Sequence, residues 1–139
     1  QAMKQFKTNS DKETKKLAES LAKKITSGVI ALTGELGAGK TTFVQGFAKG
    51  LGIKDKIISP TFVLIRQHKF KEKILYHIDL YRLENNIDIK HLGIKELISN
   101  PDNLVLIEWA GKIEKKLPKN TITINLSKIS ENERLLTIS

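Results

Sequence analysis

The sequence predicts an α/β fold, a three-layer sandwich in which a mostly parallel sheet, extended by an antiparallel hairpin, carries helices on both faces. Three observations predict it. Val29-Ile30-Ala31-Leu32-Thr33, a short apolar run with β-branched residues, leads into a glycine-rich turn that a helical pattern follows at once. Leu104-Val105-Leu106-Ile107 is a second uninterrupted apolar run, short enough for a strand buried on both faces, and it ends in Glu108. Between them, Val63 to Phe70 and Ile74 to Leu80 are β-rich and separated by Lys71-Glu72, the pattern of a hairpin.

The remaining elements follow in chain order. Ser10-Asp11-Lys12-Glu13 reads as a capping box, and Leu17, Ala18, Leu21, Ala22 and Ile25 then fall on one face of a helix running to about Ile25. Gly28 is placed to end the turn before the first apolar strand. Phe43, Val44, Phe47, Ala48 and Leu51 repeat the helical spacing for about three turns, with Gly50 and Gly52 available as a stop. Leu83 to Leu97 is polar and helix-like with Gly93 interrupting, and Asn100-Pro101-Asp102-Asn103 closes it as a loop. Thr121 to Leu126 and Leu135 to Ile138 complete the sheet.

A chain of 139 residues with 40% hydrophobic content and no repeat or low-complexity linker is expected to form one domain, residues 3–139. Gln1 and Ala2 precede the only methionine, Met3, and are read as an expression remnant. Absence of cysteine excludes a disulfide framework and a thiolate metal site. With no apolar run long enough to span a bilayer and no signal-type core at the N-terminus, a soluble, cytoplasmic protein without membrane attachment is expected.

Gly34-Glu35-Leu36-Gly37-Ala38-Gly39-Lys40-Thr41 fits G-x-x-x-x-G-K-S/T, the phosphate-cradling P-loop, and makes the expected fold a P-loop NTPase-type sandwich. Glycines let backbone N–H groups turn inward and let phosphate oxygens approach with no Cβ in the way, while the following helix points its positive end at the same place. The expected nucleotide-binding set is Gly37, Ala38, Gly39, Lys40, Thr41 and Thr42. Lys40 reaches the β- and γ-phosphates, and Thr41 can offer its hydroxyl to Mg²⁺. Nothing of the form Asn-Lys-x-Asp reads guanine, which points to ATP.

Ligands of open α/β sheets sit outside the carboxyl ends of strands, where Glu108 and Asp79 each terminate an apolar run. Either acid could serve the metal region, cap its strand or pair with a lysine. The more uniformly apolar run before Glu108 suggests a central strand next to that of the P-loop, and Glu108 is assigned to the metal. Asp79 alternates with His77 and Tyr81 on a strand expected to be less buried, and is assigned to ordering the attacking water. Pro60 forces an extended approach to Thr61, whose hydroxyl either faces the γ-phosphate or merely begins a strand; spacing does not choose. Histidines 68, 77 and 91 lack the spacing of a zinc site.

Lys and Arg total 24 against 15 Asp and Glu, a net charge of +9 that favours polyanions, although lysines on solvated helix faces explain it equally well. The aromatic interleaving of a single-strand platform is missing. A nucleotide ligand and a tRNA partner both suit the charge.

With the P-loop, Ser59-Pro60-Thr61-Phe62, His77-Ile78-Asp79-Leu80-Tyr81-Arg82-Leu83, Leu92-Gly93-Ile94-Lys95-Glu96 and Leu106-Ile107-Glu108-Trp109 in order, the chain resembles the TsaE (YjeE) family. Those are small bacterial ATPases needed for the threonylcarbamoyladenosine modification of tRNA. The resemblance implies that Thr41 and Glu108 hold Mg²⁺, that Asp79 joins Lys40 and Glu108 in catalysis, and that Trp109 lies near the nucleotide. It further implies that Thr14 and Arg134 flank bound ATP, and that the protein acts with TsaD and TsaB, meeting tRNA through that complex. Two positions depart from the family pattern: Gly111 stands where an acid is common, and His68 where a tyrosine is usual, on what is expected to be the outer face of the hairpin.

The function expected is Mg²⁺-dependent ATP hydrolysis, slow alone and faster with partners, since Arg82 is the one intrinsic candidate for an arginine finger. A non-catalytic nucleotide-sensing adaptor is the alternative. A small-molecule kinase would need an arginine-rich lid, and the chain contains only Arg66, Arg82 and Arg134.

Overall fold

The computed structural model describes residues 3–35, 37–54, 65–81 and 93–139. In order, its elements are β1 (Lys4–Thr8), α1 (Asp11–Ala22), β2 (Gly28–Thr33), α2 (Lys40–Gly50), β3 (Ile65–Phe70), β4 (Lys73–Asp79), α3 (Ile94–Ser99), β5 (Leu104–Glu108), a 3-10 segment (Ala110–Lys116), β6 (Ile122–Lys128) and β7 (Arg134–Ile138). The strands form one sheet in the order β1-β7-β6-β2-β5-β4-β3. The α/β class and the layering are as expected. The sheet is less parallel than expected, because only the β6-β2-β5-β4 centre is parallel, while the β3–β4 hairpin on one side and β7 and β1 on the other are antiparallel.

Residue parity sorts the core into two layers. Ile30 and Leu32 of β2, Leu75 of β4 and Leu104 and Leu106 of β5 face α1 and α2, joining Phe43, Phe47, Ala18 and Ala22. Val29, Ala31, Ile78, Val105 and Ile107 face the other way, against α3 and the 3-10 segment. β5 is buried at all five positions, as a central parallel strand covered on both faces must be. Each fully buried Phe, Leu or Ile contributes about 1.5–3 kcal/mol, so the two apolar layers hold the sheet between them.

Local signals match most boundaries. Ser10 caps α1 by accepting the Glu13 N–H at 3.1 Å, and the Glu13 carboxylate reaches back to the Asn9 N–H at 3.0 Å, one residue earlier than a capping box requires. The helix stops at Ala22, short of Ile25, although Ile25 still bonds back to the Leu21 carbonyl. Strand β1 was not anticipated: Lys-Gln-Phe-Lys-Thr is polar and mostly exposed, and only pairing with β7 makes it a strand. The expected hairpin forms between β3 and β4, but its His68 is buried at the register of core residue Leu75, and does not lie on an outer face. Gly93 is the N-cap of α3, and the helix-like stretch from Arg82 to Leu92 lies outside the described residues.

Two glycines set how closely α2 approaches α1. A Cβ on Gly46 would lie 2.4 Å from the Lys15 carbonyl oxygen, and one on Gly50 would lie 2.6 Å from that of Glu19. The P-loop helix is therefore seated on α1 by backbone contact, with no room for a methyl group. Gly46→Ala should destabilise the protein by about 1–3 kcal/mol, as overpacking does. Gly111→Ala, where a Cβ meets nothing within 4 Å, should leave the melting temperature near that of the wild type. Thermal melts of both variants check this, and equal melting temperatures would mean the helices do not cross as described.

Candidate functional site

The residues expected from the sequence to serve a phosphate ligand gather at the carboxyl ends of β2, β5 and β4, above the face covered by α2. Register fixes this: Leu32 of β2 pairs with Glu108 of β5, and Glu108 pairs with Asp79 of β4. The chain leaves β2 at Thr33 and turns through the P-loop into α2, which begins at Lys40. Gly34 has φ of 139°, and a Cβ there would lie 2.4 Å from the Leu126 carbonyl oxygen, so β6 presses directly on the loop backbone. No side chain caps α2, which leaves its first N–H groups to a ligand.

Lys40 Nζ donates to the carbonyls of Gly34 at 2.6 Å and Glu35 at 2.9 Å, and lies 4.0 Å from the centroid of the Trp109 ring. Burial pushes its ammonium below the ordinary lysine value, while Glu108, Asp79 and Glu35 pull it back by charge. Thr41 Oγ1 is 3.5 Å from Glu108 Oε1, longer than a good hydroxyl–carboxylate bond. An octahedral Mg²⁺ with oxygens at about 2.1 Å holds adjacent ligands about 3 Å apart, so this hydroxyl and carboxylate fit such an ion after a small adjustment. Among the described residues no three His, Cys, Asp or Glu side chains form a protein-only metal cage, and Mg²⁺ shared with a phosphate ligand does not need one.

The second carboxylate oxygen of Glu108 is held by His77 Nε2 at 2.6 Å, with both side chains almost wholly buried. Nothing in the sequence reading anticipated this bond. The signal was present in the i, i+2 spacing of His77 and Asp79, which puts both on the face of Glu108. Asp79 is 7% exposed against 2% for Glu108, and β5 is buried at every position while β4 is exposed at Lys73, so Asp79 sits on the less buried strand, as expected, although both carboxylates are buried. The Asp79 carboxylate accepts the Tyr81 N–H at 2.9 Å.

Trp109 follows Glu108 in the left-handed conformation, φ 62° and ψ 37°, which turns the chain sharply off β5. Its ring meets that of Tyr81 at 5.0 Å, and Lys112 Nζ fixes the Tyr81 carbonyl at 2.6 Å. On the opposite flank, Arg134 donates to the Gly37 carbonyl at 3.3 Å and to the carbonyls of Ser130, Glu131 and Glu133. Thr8 pairs with Arg134 across β1 and β7 and shares a 2.6 Å hydrogen bond with Thr14, so Thr14 and Arg134 form one row beside the loop. Thr42 lies in the first turn of α2, Ala38 is fully buried under the loop, and Gly111 is exposed. Thr61, Arg82 and Leu36 lie outside the described residues.

The family profile described as threonylcarbamoyl adenosine biosynthesis protein TsaE matches residues 8–136. A Rickettsia felis protein named tRNA threonylcarbamoyladenosine biosynthesis protein TsaE is 42% identical over 132 residues, 94% of this chain and 76% of that protein. One of the same name from Bacillus subtilis is 40% identical over 140 residues, 99% of this chain and 87% of that protein. A crystal structure of Bacillus subtilis YdiB superposes with a TM-score of 0.80 at 33% identity, covering 99% of this chain and 84% of that one. Shared sequence over nearly the whole length, together with a shared fold, places this chain in the TsaE family of threonylcarbamoyl adenosine biosynthesis proteins.

Proposed function

We propose that the protein binds Mg²⁺·ATP in the loop from Gly34 to Thr41 and hydrolyses it, as a step in making threonylcarbamoyladenosine in tRNA alongside TsaD and TsaB proteins. The observation that carries the reading is the convergence of Lys40, Thr41 and Glu108 at the uncapped start of α2. Family membership supports the tRNA-modification role, and the names of the relatives supply the modified nucleoside.

Each residue has a part that follows from its position. The α2 N-terminus and loop N–H groups bind phosphate oxygens, and Lys40 exchanges two carbonyl acceptors for phosphate. Thr41 and Glu108 would hold Mg²⁺, which supplies charge neutralisation at the β- and γ-phosphates. Asp79, level with Glu108 on the next strand, accepts a hydrogen bond from the attacking water and orients it. The Trp109 ring walls the Lys40 side of the site, and Arg134 holds the opposite flank through Gly37. Turnover is slow in isolation because this arrangement positions and neutralises more than it activates, and partners complete it.

Three substitutions separate these parts. Lys40→Ala should lower ATP affinity by at least about tenfold, the loss of one charge-assisted contact of about 1.5–3 kcal/mol, as read by calorimetry. Unchanged binding and hydrolysis would remove the P-loop from the function. Asp79→Asn should leave ATP binding near normal while hydrolysis falls by at least about tenfold, the low side of general-base effects. Glu108→Gln should weaken the Mg²⁺ dependence of binding. If Asp79→Asn abolishes that dependence and Glu108→Gln spares it, the two roles are reversed. In the presence of TsaD, TsaB and tRNA, an Asp79→Asn protein that binds ATP but does not turn it over should fail to support modification, whereas full modification would make the protein a nucleotide-sensing adaptor.

A further inference from the structure

We propose that His77 is a positioning residue for Glu108: its Nε2–H holds one carboxylate oxygen so that the other stays turned toward Thr41 and the metal. The inference rests on the Mg²⁺·ATP reading above. His77 and Asp79 are two residues apart on β4, and Leu106 and Glu108 two apart on β5, so all four point to the face that α2 covers. The His77 Cα is level with Leu106, which sets its ring one step below the acid, and Nε2 reaches diagonally to Oε2 at 2.6 Å. The ring is fully buried, and its Nδ1 meets no hydrogen-bond partner among the described residues. A buried N–H without an acceptor is costlier than an unused lone pair, which puts the proton on Nε2, where it is donated to the carboxylate.

The arrangement addresses a definite problem. Glu108 is a flexible carboxylate 98% removed from solvent, and the ammonium of Lys40 lies close enough to feel its charge. Left to themselves, the two would close into an ion pair, which would take the lysine from phosphate and the carboxylate from metal. Here Lys40 is held by the Gly34 and Glu35 carbonyls, and Glu108 by His77. One donor fixes one oxygen. The other, Oε1, is the atom that faces Thr41 Oγ1 at 3.5 Å. A histidine that orients a ligating carboxylate affects metal affinity without touching nucleotide, and that distinguishes it from the P-loop residues.

The test titrates Mg²⁺ into protein with saturating ATP and follows fluorescence of Trp109, the only tryptophan in the chain. His77→Leu should raise the half-saturating Mg²⁺ concentration about tenfold, the low side of losses on removing an outer partner of a ligand, with ATP affinity in EDTA unchanged within about twofold. His77→Gln, whose side-chain amide presents a donor at a similar reach, should recover most of the loss. In metal-free wild type, ¹⁵N shifts of the His77 ring should report a protonated Nε2 and a bare Nδ1, a readout that does not depend on any variant folding. A proton found on Nδ1 alone, an unmoved Mg²⁺ midpoint in His77→Leu, or equal loss in His77→Leu and His77→Gln overturns the proposal. If Glu108→Gln also leaves the midpoint unmoved, the metal reading itself fails and takes this inference with it. If Glu108→Gln shifts the midpoint and His77→Leu does not, only the role of His77 is lost.

Discussion

The parallel register joining β2, β5 and β4 is the constraint on which the rest depends. β5 is apolar along four residues and buried on both faces, so it must lie inside the sheet with helices over each side. Once Leu32 is level with Glu108, and Glu108 with Asp79, the start of the P-loop and both acids share one end of the sheet. Parity then selects the α2 face for Asp79 and Glu108. A slip of one residue in either pairing would turn an acid into the opposite apolar layer, where Ile78 and Ile107 now sit. The site is thus a by-product of the same register that builds the core.

Gathering a lysine and two carboxylates in a buried place costs desolvation, and the local structure offsets it with specific partners. Lys40 has two carbonyls and an aromatic face. Bringing the Trp109 ring beneath the ammonium requires a left-handed backbone at a bulky residue, a conformation that costs about 1–3 kcal/mol. Two contacts compensate for it: the Tyr81 ring packs on the indole, and the Lys112 ammonium ties down the Tyr81 carbonyl. Strain of this kind persists only where surrounding structure determines the conformation, and here it sits one residue from Glu108.

What was legible in the sequence follows physical lines. The P-loop, the two central strands and the face of α2 were readable because glycine spacing and apolar periodicity are local properties. Strand β1 was not, because Lys4 to Thr8 has no apolar pattern and owes its conformation to β7, more than a hundred residues away. That pairing and the antiparallel pairing of β6 with β7 make one margin of the sheet antiparallel, which a reading of individual runs could not foresee. The burial of His68 was missed because alternating polar residues on a hairpin strand suggest an exposed face, yet its register with Leu75 puts it on the side that α1 and α2 cover. The bond from His77 to Glu108 joins two strands 31 residues apart, and only the register reveals it.

The antiparallel margin that the sequence concealed also bears on the binding loop. Arg134 opens β7 and makes four hydrogen bonds to backbone carbonyls, three within the preceding turn and one to Gly37. A guanidinium held in this way is a strut: to swing toward a phosphate it would have to give up several acceptors at once, three of them sharing the two hydrogens of Nη1. It therefore contributes a fixed positive wall and a fixed loop position, which is a different service from that of a mobile arginine finger. The Thr8–Thr14 bond continues the same row into α1, and α1 in turn seats α2 through Gly46 and Gly50. The loop is consequently braced from both sides, by β7 and α1 on one flank and by Glu108 and Trp109 on the other, so that its conformation is set before any ligand arrives. Under the proposed ATPase reading, preorganisation of that kind would supply binding and charge stabilisation and would leave the rate of hydrolysis to partners that complete the site.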